Sequence, residues 1–344
     1  MYVRHLGHPE GVDGVHRPTV QMPGSAPRPP AAFDPAWLAS NLDDMQVVHV
    51  HALAPRMNAE HAQAAVEATR RAGRPLVVTA YHLSDPTGLD EAGYAQQLDV
   101  LLPAADQVIT LTEPAAAEIA RRWSVAADVQ PHPHAVDFVR MRRERPARSQ
   151  NGPFVVGVHL GSLRLPSDPV AVVAALAQAA REVAQVRLVV FAHDHLLDSD
   201  STRYDPATIR EIDRLVQAAG GTVKAHRPMT DSQLWDNIFG LDAALVPPFF
   251  GSHSVWPEAC FDLGTQAIMP AANHAAQQQP LAGGLAYACD GAGVPDVASL
   301  AAAFGKAVAA GEVVRADPTA RFNERVKVAE WLRNNYERLL AEKA

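Results

Sequence analysis

The sequence predicts an α/β protein made of two parallel β-sheets, each covered by helices. Its 344 residues exceed what one hydrophobic core usually supports. Short apolar runs alternate with helical patterns throughout, which is typical of parallel sheets covered by helices. A change in composition over residues 142–153 separates two such sets. We therefore expect a first domain over residues 1–145, a second over residues 152–320 and a final segment over residues 321–344.

The elements of the first half follow from local signals. Asn58 can cap a helix that Gly73 and Pro75 terminate, because a side-chain oxygen satisfies a free helix N–H and glycine or proline ends the helix. Residues 22–35 contain too much proline for regular structure and predict a mobile loop. The predicted strands of this half are residues 3–6, 47–50, 76–80, 107–111 and 127–130.

The second half repeats this organisation. Asp168 and Asp205 each precede a proline, which predicts two capped helix starts, and Thr230 can cap a third helix. Apolar positions over residues 321–340 predict one long amphipathic helix. The predicted strands are residues 154–160, 187–191, 222–225, 243–246 and 267–269.

Composition excludes several classes of protein. The net charge of −8 argues against a nucleic-acid partner, because such proteins concentrate Lys and Arg on their binding surface. We interpret the one basic cluster as a solvated linker between the domains. It consists of Arg140, Arg142, Arg143, Arg145 and Arg148.

The two cysteines, Cys260 and Cys289, are too few for a disulfide framework and indicate a reducing, cytoplasmic location. The N-terminal residues do not resemble a signal sequence, and no run of about 18 apolar residues occurs. Peripheral contact with a membrane stays open, and the oligomeric state is not predicted.

Common cofactor and nucleophile motifs are missing from the sequence. It contains no G-x-G-x-x-G, G-x-x-x-x-G-K-[ST], G-x-S-x-G or H-E-x-x-H pattern. Histidine pairs at i, i+2 occur at 49/51, 132/134 and 193/195, but no nearby carboxylate completes a metal site. We expect no metal and no cofactor, with these histidines lining a polar cleft at strand ends.

Residues 245–270 form the most informative stretch. A strand leads into the loop of Gly251, Ser252, His253 and Ser254, and Glu258 lies in the first turn of the next helix. Such a loop aims backbone N–H groups at one point, which favours an anion such as a diphosphate, while Glu258 can accept hydrogen bonds from sugar or ribose hydroxyls. A helix with a favourable acidic N-terminus explains the same residues equally well.

This stretch resembles the donor loop of family 4 retaining glycosyltransferases, with Glu258-Ala259 and Gly264-Thr265 at the matching positions. The resemblance implies a divergent member with the GT-B fold, in which two Rossmann-like domains face each other across a cleft and the last helix returns to the first domain. Further segments resemble that family in the same order: residues 44–51, 75–83, 105–121, 130–137 and 242–247.

The departures from the family pattern are equally specific. Phe250 stands where the family has an acidic residue, and Ser162 and Ser167 stand near the positions of its Arg and Lys. Arg164 is then the one local cation for a diphosphate. Tyr81 aligns with the family's strand-end histidine, and His82 takes the place of the following Asp.

The resemblance implies transfer of a sugar, of hexosyl type and with retention, from a nucleotide diphosphate donor to the hydroxyl of a small-molecule, lipid or glycan acceptor. It implies catalytic roles for Arg164, Glu258 and His82 without a metal, and donor contacts from Arg164, Glu258 and the loop Gly251, Ser252, His253, Ser254. The acceptor-side residues would be Gly11, Asp13, Gly14 and His82. Two alternatives remain: a nucleotide-sugar epimerase of the same fold, and a degenerate protein that binds a nucleotide-sugar without turnover.

Overall fold

The protein divides into two compact units. Its structure, a computed structural model, describes residues 2–17, 35–51, 58–145, 152–278, 285–310 and 313–344. Unit 1 comprises Met1–Pro133 and Phe322–Ala344, and unit 2 comprises His134–Arg321. The division therefore precedes the arginine-rich segment at which the sequence analysis places the boundary.

Unit 1 is a four-stranded parallel sheet with helices. The strands lie in the order β1-β2-β3-β4, as expected when a helix connects each strand to the next. The strands are β1 (Val48–Val50), β2 (Leu76–Thr79), β3 (Gln107–Thr110) and β4 (Asp128–Val129). The helices are α1 (Pro35–Asn41), α2 (Ala59–Arg71), α3 (Glu91–Ala104) and α4 (Glu113–Trp123).

Local chemistry sets the ends of helix α2. Asn58 caps it by accepting a hydrogen bond from the backbone N–H of His61 at 2.9 Å. Gly73 follows the helix with φ +65°, a left-handed conformation that side chains disfavour. Both predicted ends are confirmed.

The predicted strand over residues 3–6 is wrong. Tyr2–His5 forms a short 3₁₀ turn instead. Tyr2 and Leu6 pack into a cluster with Val77 and Ile109, so this segment covers one face of the sheet rather than adding a strand to it. The loop predicted over residues 22–35 lies outside the described residues except for its last position, where α1 begins.

Unit 2 is a six-stranded parallel sheet in the order β10-β9-β8-β5-β6-β7. The strands are β5 (Phe154–Gly161), β6 (Val186–His193), β7 (Thr222–His226), β8 (Ala243–Leu245), β9 (Gln266–Pro270) and β10 (Leu285–Tyr287). The helices are α5 (Phe138–Met141), α6 (Pro169–Glu182), α7 (Pro206–Ala218), α8 (Asp231–Phe239), α9 (Trp256–Leu263) and α10 (Val297–Ala309).

Three predicted caps of unit 2 are confirmed. Asp168 and Asp205 accept backbone hydrogen bonds at the starts of α6 and α7. Thr230 and Gln233 form a reciprocal capping box at the start of α8. The core lies between the sheet and helices α6, α7 and α10. Strand β10 is an addition, because its three residues give too short a pattern to predict.

The long final helix is confirmed as α11 (Pro318–Lys343). From Phe322 onward it belongs to unit 1, where Val328, Leu332 and Leu339 join the cluster of Val77 and Ile109.

The arginine-rich segment is not a solvated linker. Arg140 and Arg143 both pair with Asp236 on α8, at 3.7 and 2.5 Å. Arg145 is half-buried and donates to the Leu241 carbonyl and, at 2.8 Å, to the Thr265 hydroxyl. Acidic and carbonyl partners about one hundred positions away along the chain therefore dock this segment on unit 2. Arg148 lies outside the described residues.

Candidate functional site

The strand order of unit 2 identifies one edge of its sheet as the place for a ligand. Strands β5 and β8 are neighbours, but the chain continues from β5 to β6 on one side and from β8 to β9 on the other. In open parallel sheets, ligands bind beyond the carboxyl ends of the strands at such a switch point. The two loops beside it are residues 162–168 and 246–255. They contain every predicted donor residue except Glu258, which follows in α9.

The loop after β5 has an unusual backbone. Gly161 and Leu163 both have positive φ, at +53° and +57°. A left-handed leucine costs roughly 1–2 kcal/mol, so the surrounding structure must hold it there. The two left-handed residues turn the chain sharply and place Ser162 between them at the strand end. Arg164 follows with an exposed side chain, open to a ligand as its predicted role requires.

Ser162 hydrogen-bonds two histidines at the end of β6. Its Oγ lies 3.0 Å from Nδ1 of His193 and 3.2 Å from Nε2 of His195. All three residues are half-buried. Ser162 stands near the position where the resemblance implies a cation, and its contact with two imidazoles could not be predicted because they lie 31 and 33 positions away along the chain.

Two further histidines extend this group into what we term the imidazole cluster: His159, His193, His195 and His226. The His226 ring lies 5.4 Å from His193 and 6.3 Å from His159. Burial, and then the neighbouring imidazoles, lower the pKa of His193. Burial lowers the pKa of His159 to about 4, although its hydrogen bond to Asn237 opposes the shift. Near pH 7 the imidazoles of His159 and His193 are therefore uncharged.

The loop after β8 is more enclosed than the sequence predicts. Ser252 and His253 are buried, and the His253 ring stacks on His274 at 5.5 Å. The Gly251 carbonyl accepts a hydrogen bond from Asn273, and the Ser252 carbonyl accepts one from the backbone of Ala275. The segment after β9 therefore supports this loop from one side.

Ser254 is held by the amide side chain of Gln278. The Ser254 N–H donates to Gln278 Oε1 at 2.8 Å, and Gln278 Nε2 donates to the Ser254 carbonyl at 2.9 Å. The N–H of Ser254 therefore already has an acceptor and is not one of the free donors that the sequence analysis expects to meet a phosphate.

Glu258 lies in the first turn of α9, as predicted, but its carboxylate is fully buried. Its Oε2 accepts from Arg321 at 2.9 Å and its Oε1 accepts from Gln278 at 3.0 Å. The structure thus engages both oxygens with protein groups rather than leaving them exposed for ribose hydroxyls.

Arg321 connects Glu258 to a second buried carboxylate. Its Nε donates to Asp262 Oδ1 at 2.9 Å, and the other oxygen of Asp262 accepts from the N–H groups of Ala135 and Val136. Burial raises the pKa of Asp262, while Arg321 and the two N–H groups oppose that shift. One cation therefore joins α9, the first turn of α11 and the start of unit 2. Sequence reasoning missed Arg321 because it lies 63 positions from Glu258.

The predicted acceptor-side residues of unit 1 lie in two places. Gly11 and Gly14 adopt left-handed turns with φ of +71° and +68°, and Asp13 between them is buried and paired with Arg17 at 2.9 Å. His82 follows β2, and burial lowers its pKa to about 4.

His82 lies beside a group of aromatic rings after β2. Its ring lies 4.7 Å from Tyr81, which lies 5.2 Å from Tyr2 and 5.8 Å from His132. The His49 and His51 rings are 3.8 Å apart, and burial lowers the pKa of His51 to about 3. Strand-end histidines with uncharged rings thus occur in both units.

The described residues contain neither a metal-binding cluster nor a membrane-spanning helix. No group of three or more His, Cys, Asp or Glu side chains there is arranged to hold a metal ion. No helix there has the length and apolar character needed to cross a membrane.

Comparison with known proteins identifies the fold. No known family model matches the sequence, and no curated protein matches it significantly. Sucrose-phosphate synthase from Thermosynechococcus elongatus aligns with a TM-score of 0.61 and 19% identity, over 99% of this chain and 93% of that one. The pneumococcal O-GlcNAc transferase GtfA, in complex with UDP and GlcNAc, aligns with a TM-score of 0.56 and 12% identity, over 89% of this chain and 60% of that one.

A proposed UDP-N-acetylglucosamine 2-epimerase from Listeria monocytogenes aligns with a TM-score of 0.50 and 10% identity, over 91% of this chain and 79% of that one. At these identities the likeness concerns architecture and not activity. Two Rossmann-like units with parallel sheets of four and six strands, together with these alignments, give the chain the GT-B fold of glycosyltransferases.

Proposed function

We propose that the protein is a glycosyltransferase that moves a sugar from a nucleotide diphosphate donor to an acceptor hydroxyl. The observation that carries this proposal is the switch point between β5 and β8, where two polar loops meet the carboxyl edge of the sheet. The synthase and the transferase that share the fold support it, as does the UDP bound to the transferase.

In this proposal unit 2 binds the donor and unit 1 the acceptor. Breaking the bond to the sugar builds negative charge on the departing diphosphate, and positioned donors near that charge are usually the largest source of catalysis. We assign this role to the exposed guanidinium of Arg164 and to the loop of residues 251–254, except for the Ser254 N–H that Gln278 already holds. His82, with Gly11, Asp13 and Gly14, serves the acceptor side. The donor is a substrate, no cofactor or metal takes part, and the sugar is a hexose transferred with retention.

In this proposal Glu258 is a positioning residue and does not contact the donor itself. Because Arg321 and Gln278 occupy both carboxylate oxygens, we infer that Glu258 fixes the start of α9 and the loop before it. Its effect on the donor passes through Gln278 and Ser254.

The proposal is tested with a panel of sugar nucleotides based on UDP, GDP, ADP and dTDP. A ligand at about 100 times its Kd stabilises the folded protein by roughly 2.7 kcal/mol, so thermal melts identify the donor. Arg164→Ala should weaken its binding by about 1.5–3 kcal/mol, the value of a charge-assisted hydrogen bond. Arg187→Ala is the matched control, since Arg187 is exposed at the amino end of β6, away from the switch point.

Product analysis distinguishes the alternatives. Transfer of the sugar to an added acceptor, or slow release of the sugar with unchanged configuration, supports the glycosyltransferase. An epimerised free sugar would select the epimerase that the Listeria structure resembles in fold. A donor that binds but is neither transferred nor hydrolysed would select a binding protein, and binding by none of the nucleotides would overturn the proposal.

A further inference from the structure

The imidazole cluster lies at the carboxyl edge of the unit 2 sheet, beside the switch point. Along this edge, His193 at the end of β6 lies beside Ser162, which follows β5, and His226 at the end of β7 pairs with His193. Ser162, His193 and His195 are half-buried, so a ligand can reach them without unfolding the edge. The cluster is held by packing as well, because His159 stacks on Phe191 at 4.4 Å.

Several ring nitrogens of this cluster have no hydrogen-bond partner in the described part of the chain. The Nδ1 of His226 contacts the Arg227 carbonyl at 2.6 Å and must donate to it, so Nε2 of the neutral ring carries no proton. That Nε2 is buried and has no partner among the described residues. Buried polar atoms without partners are rare, so His226 Nε2 calls for an explanation. The second ring nitrogens of His193 and His195 also make no hydrogen bond within the described part of the chain, but they are not among its buried unpartnered atoms and stay open to a ligand.

Protonation of an imidazole changes the hydrogen bonds that its ring can make. A neutral imidazole donates through one nitrogen only, whereas a protonated ring donates through both. A protonated His193 or His195 would offer a second N–H, besides the nitrogen that faces Ser162, to an acceptor that carries negative charge. It would also add a positive charge beside Ser162.

The charges around the cluster favour an anion. On the neighbouring strand β7 stand Lys224 and, just after it, Arg227, both exposed. Arg164 follows β5. Within the described structure, Asp194 is the one carboxylate whose charge raises the pKa of His193, whereas the neighbouring imidazoles lower it. Without a ligand, burial and the neighbouring imidazoles lower the pKa values of His159 and His193 and so disfavour their charged forms. A bound anion would instead favour the protonated, charged form of a nearby ring.

We propose that the imidazole cluster binds the diphosphate of the sugar-nucleotide donor in protonated form, so that the donor and a proton from solvent bind together. This inference rests on the proposed function, because that function supplies the diphosphate. By linkage, affinity then falls as the pH rises between the free-state and bound-state pKa values. When binding takes up one proton, affinity falls up to about tenfold for each unit by which the pH rises.

The test uses a sugar nucleotide, since its diphosphate keeps the same charge between pH 6 and 8 (both values chosen for the assay). UDP-glucose is the first probe, followed by GDP-mannose and ADP-glucose. Isothermal titration of the full chain, in two buffers with different ionisation enthalpies, measures affinity and proton uptake together. We expect uptake of about half a proton or more near pH 7 and a several-fold loss of affinity per pH unit.

Two variants assign the proton. His193→Gln and His195→Gln each keep a hydrogen-bonding side chain beside Ser162 but cannot become cationic. We expect at least one of them to abolish most of the uptake and to flatten the pH dependence. His61→Gln, an exposed change on α2 in unit 1, is the control that should leave both unchanged.

The outcomes separate the two proposals. Binding of a probe without proton uptake in the unchanged protein would overturn the histidine proposal alone. Uptake that survives in both histidine variants would also overturn it. If none of the three probes binds at any pH, both the inference and the proposed function fail.

Discussion

At the level of single residues, Gln278 holds the loop after β8 by three hydrogen bonds, two to the Ser254 backbone and one to Glu258. Gln278→Ala removes all three and releases Ser254, so we expect the sugar nucleotide to bind about tenfold more weakly or worse. Thermal melts should also show a loss of about 1–3 kcal/mol, because buried partners are left unsatisfied.

The adjacent Gln277 provides the matched control, because its side chain is exposed while that of Gln278 is buried. Gln277→Ala should change neither the melting temperature nor the affinity measurably. Equal effects of the two substitutions would show that Gln278 does not position the loop.

Glu258 and Arg321 form a buried ion pair, with side-chain exposures of 1% and 2%. Glu258→Gln leaves the buried guanidinium of Arg321 with Asp262 as its remaining carboxylate partner. We expect the free energy of unfolding of unit 2 to fall by about 3 kcal/mol, at the lower limit for a broken buried pair. Denaturant melts measure this loss, and Glu330→Gln on the exposed side of α11 should stay within about 0.5 kcal/mol of the unchanged protein. Unchanged stability with weakened donor binding would instead support direct contact between Glu258 and the donor.

The sequence could locate Glu258 but not its environment. A loop of small polar residues before a helix is a local pattern, readable from a dozen consecutive residues. Its partners Gln278 and Arg321 lie 20 and 63 positions away, and only the folded chain brings them together. The same holds for Ser162, which meets two histidines more than 30 positions later.

Among the elements, helix α8 depends on a capping box at its N-terminus. The Thr230 hydroxyl oxygen accepts a hydrogen bond from the Gln233 N–H, and the Gln233 side-chain oxygen accepts one from the Thr230 N–H. Thr230→Ala should lower the free energy of unfolding of unit 2 by about 1 kcal/mol, the usual cost of losing such a cap. Thr230→Ser keeps the hydroxyl and should restore most of the loss in denaturant melts. If both variants melt alike, the hydroxyl is not what stabilises this helix.

Elements with strong local signals were predicted well, and short ones were not. Caps at Asn58, Asp168, Asp205 and Thr230 are decided within four residues, so their sequence signals agree with the structure. The run over residues 3–6 has the composition of a strand but forms a 3₁₀ turn, because packing against the sheet satisfies its apolar side chains equally well. Four residues, of which Val3 and Leu6 are apolar, are too few for their period to distinguish the two states.

For the molecule as a whole, buried histidines predict loss of stability in acid. Burial lowers the pKa of His51 to about 3 and those of His82 and His159 to about 4, against an ordinary value of 6.5. The unfolded chain therefore binds more protons than the folded chain below about pH 6.5. Stability is fully present above that pH and declines as the pH falls towards the folded values, by up to about 1.4 kcal/mol per pH unit for each histidine.

Denaturant melts between pH 7.5 and 5.0 (values set by the experimenter) measure this slope. His159→Gln should make the slope for unit 2 shallower by up to about 1.4 kcal/mol per pH unit. His61→Gln should leave the slope as it is, because that ring is exposed. Stability that does not change over this range would contradict the buried, uncharged state of these rings.

Unit 1 is built from two segments that unit 2 separates along the chain, so its second segment is synthesised only after unit 2. Its apolar cluster of Val77 and Ile109 is completed by Leu332 and Leu339 of α11. A ribosome makes residues 134–321 in between, which takes roughly ten to forty seconds at usual translation rates. For that time the nascent first unit carries an uncovered apolar face, of the kind that chaperones bind and that aggregates when translation stalls. Unit 2 can finish first, although its chain is made second.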